Sequence, residues 1–240
     1  MKNLLIDIGN TSLKAAWSNG VEIDDAIICR DEKPLAFIRN IVSHKRPEII
    51  ALSTIRNMEP DFFTELETLA DRVIVAGTSS CRPIKNLSNS PEILAPDRIC
   101  SALAASDLFP GRDIAIFDFG TALSVDFISS NKEFIGGNIS PGLTSRLRSL
   151  NQYTQQLPLL TPPEEIKSLG ETTTSAIESG VVLGLIFEIE GYIRQYPNHI
   201  HIFTGGDAIY FAEKVKKPIF VVYNLVLMGL ARIAENYAKV

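Results

Sequence analysis

Aliphatic residues run together near the start of the chain, in "NLLIDIGNT" (3–11), and stop at an aspartate, a glycine and short polar residues. A continuous apolar run of this length predicts a strand buried on both faces, Asn3–Asp7. Asp7 would be costly inside such a strand, because an unpaired buried carboxylate is strongly disfavoured. At the strand's end, beside a turn at Gly9, it can face a cation or a polyphosphate. Short strand-like segments follow at Ser12–Trp17 and Val21–Cys29, with Gly9 and "SNG" as turn signals, which predicts an antiparallel meander. The pattern then alternates: a helix over Pro34–His44, the strand "EIIALS", a helix over Asp61–Ala70 and the strand "RVIVAG". That alternation predicts a parallel sheet covered by helices.

The polar, proline-containing stretch "TSSCRPIKNLSNSPEILAP" (78–96) reads as a long connection, and "DRICSALAASDLF" as an alanine-rich helix. The meander pattern then recurs in "DIAIFDFG", "ALSVDFIS" and "EFIGGNIS". A long helix over Thr172–Tyr196 follows, then the strand "HIHIFTGG", a helix through Glu213, the strand "PIFVVY" and a last helix from Asn224. The matching order in the two halves points to duplication of one unit, a β-meander followed by alternating elements. Two such units facing each other would bring two strand–turn–strand hairpins to one cleft.

Each hairpin can offer backbone N–H groups and short hydroxyl side chains to phosphates, while its aspartate binds an accompanying metal ion. "DIGNTSLK" supplies Asp7, Gly9, Asn10, Thr11, Ser12 and Lys14, and "DFGTA" supplies Asp118, Gly120 and Thr121. Ordinary hairpin turns also use Asp and Gly, so either segment alone says little. The pair, at matching places in matching units, favours a nucleotide site. "TGGDA" (204–208) follows a strand and opens a helix, and its consecutive glycines Gly205 and Gly206 permit close backbone approach to an adenine or ribose. In "APDRI" (95–99), a helix start accounts for Pro96 and for Asp97 but not for Arg98, because a cation is unfavourable there. An Arg beside an Asp could clamp an anionic substrate while the Asp takes a hydroxyl proton. Capping explains one of the three threonines in "GETTTSAIESG", leaving the others for a substrate. His199 and His201 share one strand face as a possible metal pair, but with no third ligand nearby. Trp17 reads as core.

Composition narrows the class without naming a reaction. The 240 residues are 45% hydrophobic and 21% charged, the profile of an ordinary soluble globular protein. The net charge of −5 gives no electrostatic reason to expect nucleic acid, and "HKRPEII" and "KVKKP" read as solvated helix ends. No segment approaches the ~18–20 apolar residues of a membrane span. The amino-terminal run meets an acid at Asp7, so it cannot form a signal-peptide core. Three cysteines (Cys29, Cys81, Cys100) without a CxxC pair indicate reduced thiols and a cytoplasmic location.

Taken together, "DIGNT", "DFGTA" and "TGG" resemble the actin-like ATPase superfamily, which includes sugar and acetate kinases. Adding "DR" at 97–98, "GGNISPGL" at 136–143, "LP" at 157–158 and "TTSAIESG" at 173–180, the whole chain resembles the type III pantothenate kinases. The resemblance implies an α/β protein of two duplicated actin-like (ribonuclease H-like) domains, over 1–110 and 111–240. Each would be a mixed five-stranded sheet flanked by helices, with a cleft between them. It implies ATP-dependent phosphorylation of pantothenate, the first step of coenzyme A synthesis, by a homodimer that needs Mg2+ and a monovalent cation, K+ or NH4+. Residues Asp7, Ile8, Gly9, Asn10, Thr11, Ser12, Leu13 and Lys14 match the family's first phosphate loop, with Asp7 near the magnesium. Asp118 matches the monovalent-cation ligand, Thr121 a nucleotide contact, and Gly205 and Gly206 the adenosine motif. Ala95, Pro96, Asp97 and Arg98 match the substrate loop, with Asp97 as catalytic base and Arg98 as a pantothenate contact. Thr173 matches a further pantothenate contact near the dimer interface.

Two positions depart from the family pattern. Ala95 stands where the substrate loop usually begins with Gly, and Ser88 where a tyrosine is frequent. A Cβ can be a steric obstacle and an aromatic wall can contribute binding energy, so both bear on pantothenate affinity. They also leave room for a non-catalytic, nucleotide-binding regulator of the same fold, against which Asp97, Arg98 and both phosphate loops argue. An actin-like filament or chaperone module would normally carry subdomain insertions, and this chain lacks them.

Overall fold

The structure is a computed structural model that describes residues 2–77 and 94–238. Ser88, Cys81 and most of the expected connection lie outside the described residues. The chain forms β1 (Asn3–Ile8), β2 (Leu13–Asn19), β3 (Glu22–Ile23), β4 (Ile27–Cys29), α1 (Pro34–Val42), β5 (Ile49–Thr54), α2 (Asp61–Leu69), β6 (Arg72–Val75) and α3 (Pro96–Leu108). It continues through β7 (Ile114–Phe119), β8 (Ala122–Ile128), β9 (Phe134–Pro141), α4 (Leu143–Tyr153), α5 (Thr173–Gln195), β10 (Ile200–Gly205), α6 (Ala208–Ala212), β11 (Phe220–Val221) and α7 (Leu225–Ala238).

Two sheets result, ordered β3-β2-β1-β5-β6 and β11-β10-β7-β8-β9. In each, the meander strands are followed by two parallel strands reached through helical crossovers. The duplication read from the sequence is therefore visible as one strand order used twice. The first sheet has six strands rather than the expected five. The segment Val21–Cys29 is not one strand: β3 pairs with the end of β2 and β4 with its start, interrupted by Asp24 and Asp25. Aspartate is depleted in strands, and both of these acids are exposed. The stretch "PIFVVY" contributes only the two-residue β11. Helix α4 has no counterpart in the sequence reading: only Leu143 and Leu147 are buried along it, too few apolar positions for a visible period.

The chain divides into two compact units, Met1–Gly111 with Ile128–Ile135 and Asn224–Val240, and Arg112–Phe127 with Gly136–Tyr223. In the first, every residue of β1 is buried. Leu4, Ile6 and Ile8 pack with Phe37 and Ile38 of α1 and Phe62 and Leu66 of α2. Helix α7, last in the chain, lies against β1, β5 and α3. That approach depends on small residues: a Cβ at Gly229 would sit 2.1 Å from the Cys100 carbonyl oxygen. In the second unit, Phe119 meets Phe203 and Phe211 at ring-centroid distances of 4.9 and 5.0 Å. Val182, Leu185 and Ile189 of α5 close the same core.

Candidate active site

The apolar run of β1 ends where its backbone must turn, and this places Asp7 at the last positions of a central strand. In register, Asp7 stands opposite Lys14 on β2 and Ser53 on β5, so a carboxylate, an ammonium and a hydroxyl occupy one face of the sheet. The Ser53 hydroxyl is fully buried and has no hydrogen-bond partner among the described residues. A buried polar atom of this kind calls for a water or an ion. The turn itself spans Gly9–Ser12, closed by the Gly9 N–H donating to the Ser12 carbonyl at 3.1 Å. Asn10 and Thr11, at its tip, are exposed.

The second hairpin repeats the plan with a shorter turn. β7 and β8 are joined by Gly120 and Thr121 alone, with the Gly120 N–H donating to the Ala122 carbonyl at 3.0 Å. Asp118 lies in register with Thr204 of β10, as Asp7 does with Ser53. Gly205, at φ +92°, lies against it: a Cβ there would come within 2.4 Å of the Asp118 Oδ1 and 2.5 Å of the Phe119 carbonyl oxygen. This is a second role for Gly205, alongside the adenosine contact expected of it. Gly206 is exposed. Thr121 is held from below by α4, because its carbonyl accepts from the Gly142 N–H at 3.0 Å and the Ser145 hydroxyl at 2.6 Å. A Cβ at Gly142 would lie 2.1 Å from the Gly120 carbonyl oxygen, so this position also requires glycine.

Helix α3 starts at Pro96, with Ala95 as its N-cap at φ −65°, ψ 149°. That extended conformation is open to any residue, so the backbone itself does not demand a glycine at 95. Burial pushes the Asp97 carboxyl above its ordinary value, against the lowering influence of the Arg98 N–H and guanidinium. The Arg98 N–H donates to the Asp97 Oδ1 at 2.8 Å. The Arg98 guanidinium lies 5.9 Å from the centroid of the Phe134 ring at the start of β9. The ring offers a cation–π partner at a helix end where a positive charge is otherwise unfavourable. At the start of α5, Thr172 is the cap: its hydroxyl accepts from the Ser175 N–H at 3.2 Å, and the Ser175 hydroxyl accepts from the Thr172 N–H at 3.0 Å. Thr173 and Thr174 are exposed on the first turn.

The histidine pair has structural surroundings. A ring nitrogen of His201 is 3.0 Å from the Tyr196 carbonyl oxygen, and burial lowers its pKa, favouring the neutral imidazole. His199 packs edge-on to Phe127 and Tyr196. Among the described residues, no group of three or more His, Cys, Asp or Glu could hold a metal ion. Nor is any described helix long and apolar enough to cross a membrane.

The first unit thus carries Asp7–Lys14 and Ala95–Arg98, and the second carries Asp118, Thr121, Gly205, Gly206 and Thr173. Sequence reasoning assigns no role to Ser53, Phe134 or Gly142. Nothing in the local sequence marks Ser53 or Phe134, since each matters through the strand or loop it lies beside, and Gly142 falls within the family-like segment "GGNISPGL" without a role of its own. Residues 3–195 match the family described as type III pantothenate kinase. The chain belongs to that family. A type III pantothenate kinase of Bacteroides fragilis is 35% identical over 98% of each chain. One from Cytophaga hutchinsonii is 36% identical over 98% of this chain and 99% of its own. Among solved structures, the activator of the 2-hydroxyisocaproyl-CoA dehydratase from Clostridium difficile, with bound ADPNP, covers 100% of this chain and 96% of its own at 15% identity and a TM-score of 0.57. That likeness concerns the fold, which is that of the actin-like ATPases.

Proposed function

We propose that this protein transfers the γ-phosphoryl group of ATP to the primary hydroxyl of pantothenate, giving 4'-phosphopantothenate in the first step of coenzyme A synthesis. Asp97 carries the reading: a carboxylate raised by burial, at the "DR" position of a family member, is suited to accept a hydroxyl proton. In the step, the pantothenate oxygen bonds to the γ-phosphorus, its proton passes to Asp97, and the bond to the β-phosphate oxygen breaks to release ADP. Such a transfer depends on positioning and charge neutralisation. Asp7–Lys14 and Thr121 are assigned to the phosphates, Gly205 and Gly206 to the adenosine, and Ala95–Arg98 with Thr173 to pantothenate.

Asp7, with the unpartnered Ser53 hydroxyl beside it, suits a magnesium ion that takes its other ligands from water and phosphate. Asp118, enclosed by the Gly205 backbone with Thr204 alongside, suits potassium or ammonium. Bound there, these ions would neutralise charge on the triphosphate. We assign the working form to a homodimer in the cytoplasm, and the functional halves to residues 1–110 and 111–240. Activity should depend on a potassium- or ammonium-sized ion, with sodium a poor substitute, because smaller hard ions prefer different oxygen cages. Equal initial rates in sodium-only and potassium buffers would remove this role from Asp118. A coupled assay with ATP, magnesium, potassium and pantothenate tests the reading as a whole. Nucleotide binding without turnover would point instead to a regulatory relative of the same fold.

A further inference from the structure

Arg56, two residues beyond β5, lies under the turn that follows β1. Its Nε donates to the Gly9 carbonyl at 2.6 Å and its Nη2 to the Asn10 carbonyl at 3.1 Å. The segment carrying it is itself braced: the Ile55 N–H donates to the Ile8 carbonyl at 3.3 Å, and the Arg56 N–H to the Thr54 hydroxyl at 3.2 Å. Thr54 in turn is in register with Ile8 across the β1–β5 ladder. One guanidinium therefore spans two consecutive peptide groups of the turn.

The consequence follows from peptide planarity. In a trans peptide the C=O and the following N–H point in opposite directions, and the described chain has no cis bonds. With the Gly9 and Asn10 carbonyls turned toward Arg56, the N–H groups of Asn10 and Thr11 are turned to the opposite side. Two successive N–H groups facing one way make a concavity for an anion, and a fixed positive charge behind them strengthens it. A planar fork with several donors can hold both carbonyls at once, which an ammonium on a flexible stem cannot do as well.

We propose that Arg56 is a positioning residue for nucleotide phosphate, acting through the backbone of the first loop rather than by touching the transferred group. This rests on the reading of Asp7–Lys14 as a phosphate loop. The test is calorimetric titration of Mg-ATP into wild type, Arg56→Ala and Arg56→Lys, with KM for ATP and for pantothenate measured on the same samples. The expected result is a rise of about 10–100-fold in the Kd for Mg-ATP with Ala, and a smaller rise with Lys, as orientation of the loop is lost. The pantothenate KM should stay within about twofold, and free guanidinium should partly restore ATP binding to the Ala variant. Arg56→Lys keeps the charge and stem, so it decides the matter if the Ala variant does not fold. Unchanged Mg-ATP binding in the folded variants would overturn the proposal. So would an equal rise in both KM values, which would mark Arg56 as a general structural support. Wild-type protein that binds Mg-ATP but does not phosphorylate pantothenate would overturn the functional reading and leave this one standing. Wild-type protein that binds no Mg-ATP would end both.

Discussion

Asp97→Asn should lower kcat by about 10²–10⁴-fold while leaving the fold and ATP binding in place. Asparagine keeps the shape of the side chain and an Oδ1 that can still accept from the Arg98 N–H, now 2.8 Å away. What it lacks is the carboxylate proposed to accept the hydroxyl proton. Burial is the leading influence on the Asp97 pKa and raises it, so the ionised form is the one disfavoured by folding. The acid limb of kcat/KM should therefore lie above the ordinary aspartate value of 3.8, with activity lost as pH falls through it. Stability runs the other way. Because the folded-state pKa is the higher one, protonation of Asp97 favours folding at acid pH, and this contribution is lost as pH rises through the folded value. Near neutrality the Asn variant should melt no lower than wild type. If Asp97 served only the helix dipole, the variant would instead lose roughly 0.3–1 kcal/mol and keep near-normal turnover. Measuring kcat and the melting temperature on one preparation separates the two.

Gly205→Ala should be among the most damaging single-methyl additions to this chain. The new Cβ would lie 2.4 Å from the Asp118 Oδ1 and 2.5 and 2.6 Å from the Phe119 carbonyl oxygen and nitrogen. Two of those atoms are backbone of a central strand and have little room to yield. Overpacking typically costs about 1–3 kcal/mol, and holding a non-glycine residue at φ +92° adds a cost of similar order. The neighbouring Gly206→Ala is the control, since its Cβ would meet nothing nearer than the Phe119 carbonyl oxygen at 4.0 Å. It should stay within about 0.5 kcal/mol of wild type. Urea midpoints that coincide for the two variants would contradict the close approach at Gly205. If Asp118 holds the proposed monovalent cation, displacing it should also raise the cation concentration that the Gly205→Ala variant needs for half-maximal activity.

Much of the candidate site is legible in the sequence because its residues are locally extravagant. Asp7 and Asp118 end apolar runs where a carboxylate has no business in a core, and Arg98 sits at a helix end that disfavours it. The capping box at Thr172 and Ser175 likewise satisfies only its own helix end. Elements escape the sequence where local composition is balanced. Helix α4 buries two leucines, and β3 and β4 are separated by two aspartates that a run of flanking aliphatics conceals.

The class and the duplicated plan follow from the order of residues alone, because strand and helix periods and the turns that end them are local properties. The same order shows which carboxylates stand at strand and helix ends, since an apolar run and its polar stop are adjacent in the chain. What lies beside those carboxylates is set by contacts between distant segments. Register across separate strands sets Ser53 next to Asp7 and Thr204 next to Asp118. Close backbone approach demands glycine at 142, 205 and 229, because the atoms a Cβ would meet at each belong to a segment distant in the chain. The grip of Arg56 on Gly9 and Asn10 bridges residues 47 and 46 positions apart. Such pairings are fixed by which strands hydrogen-bond and in which register, a choice made by burial of whole sheet faces that no short window of sequence contains.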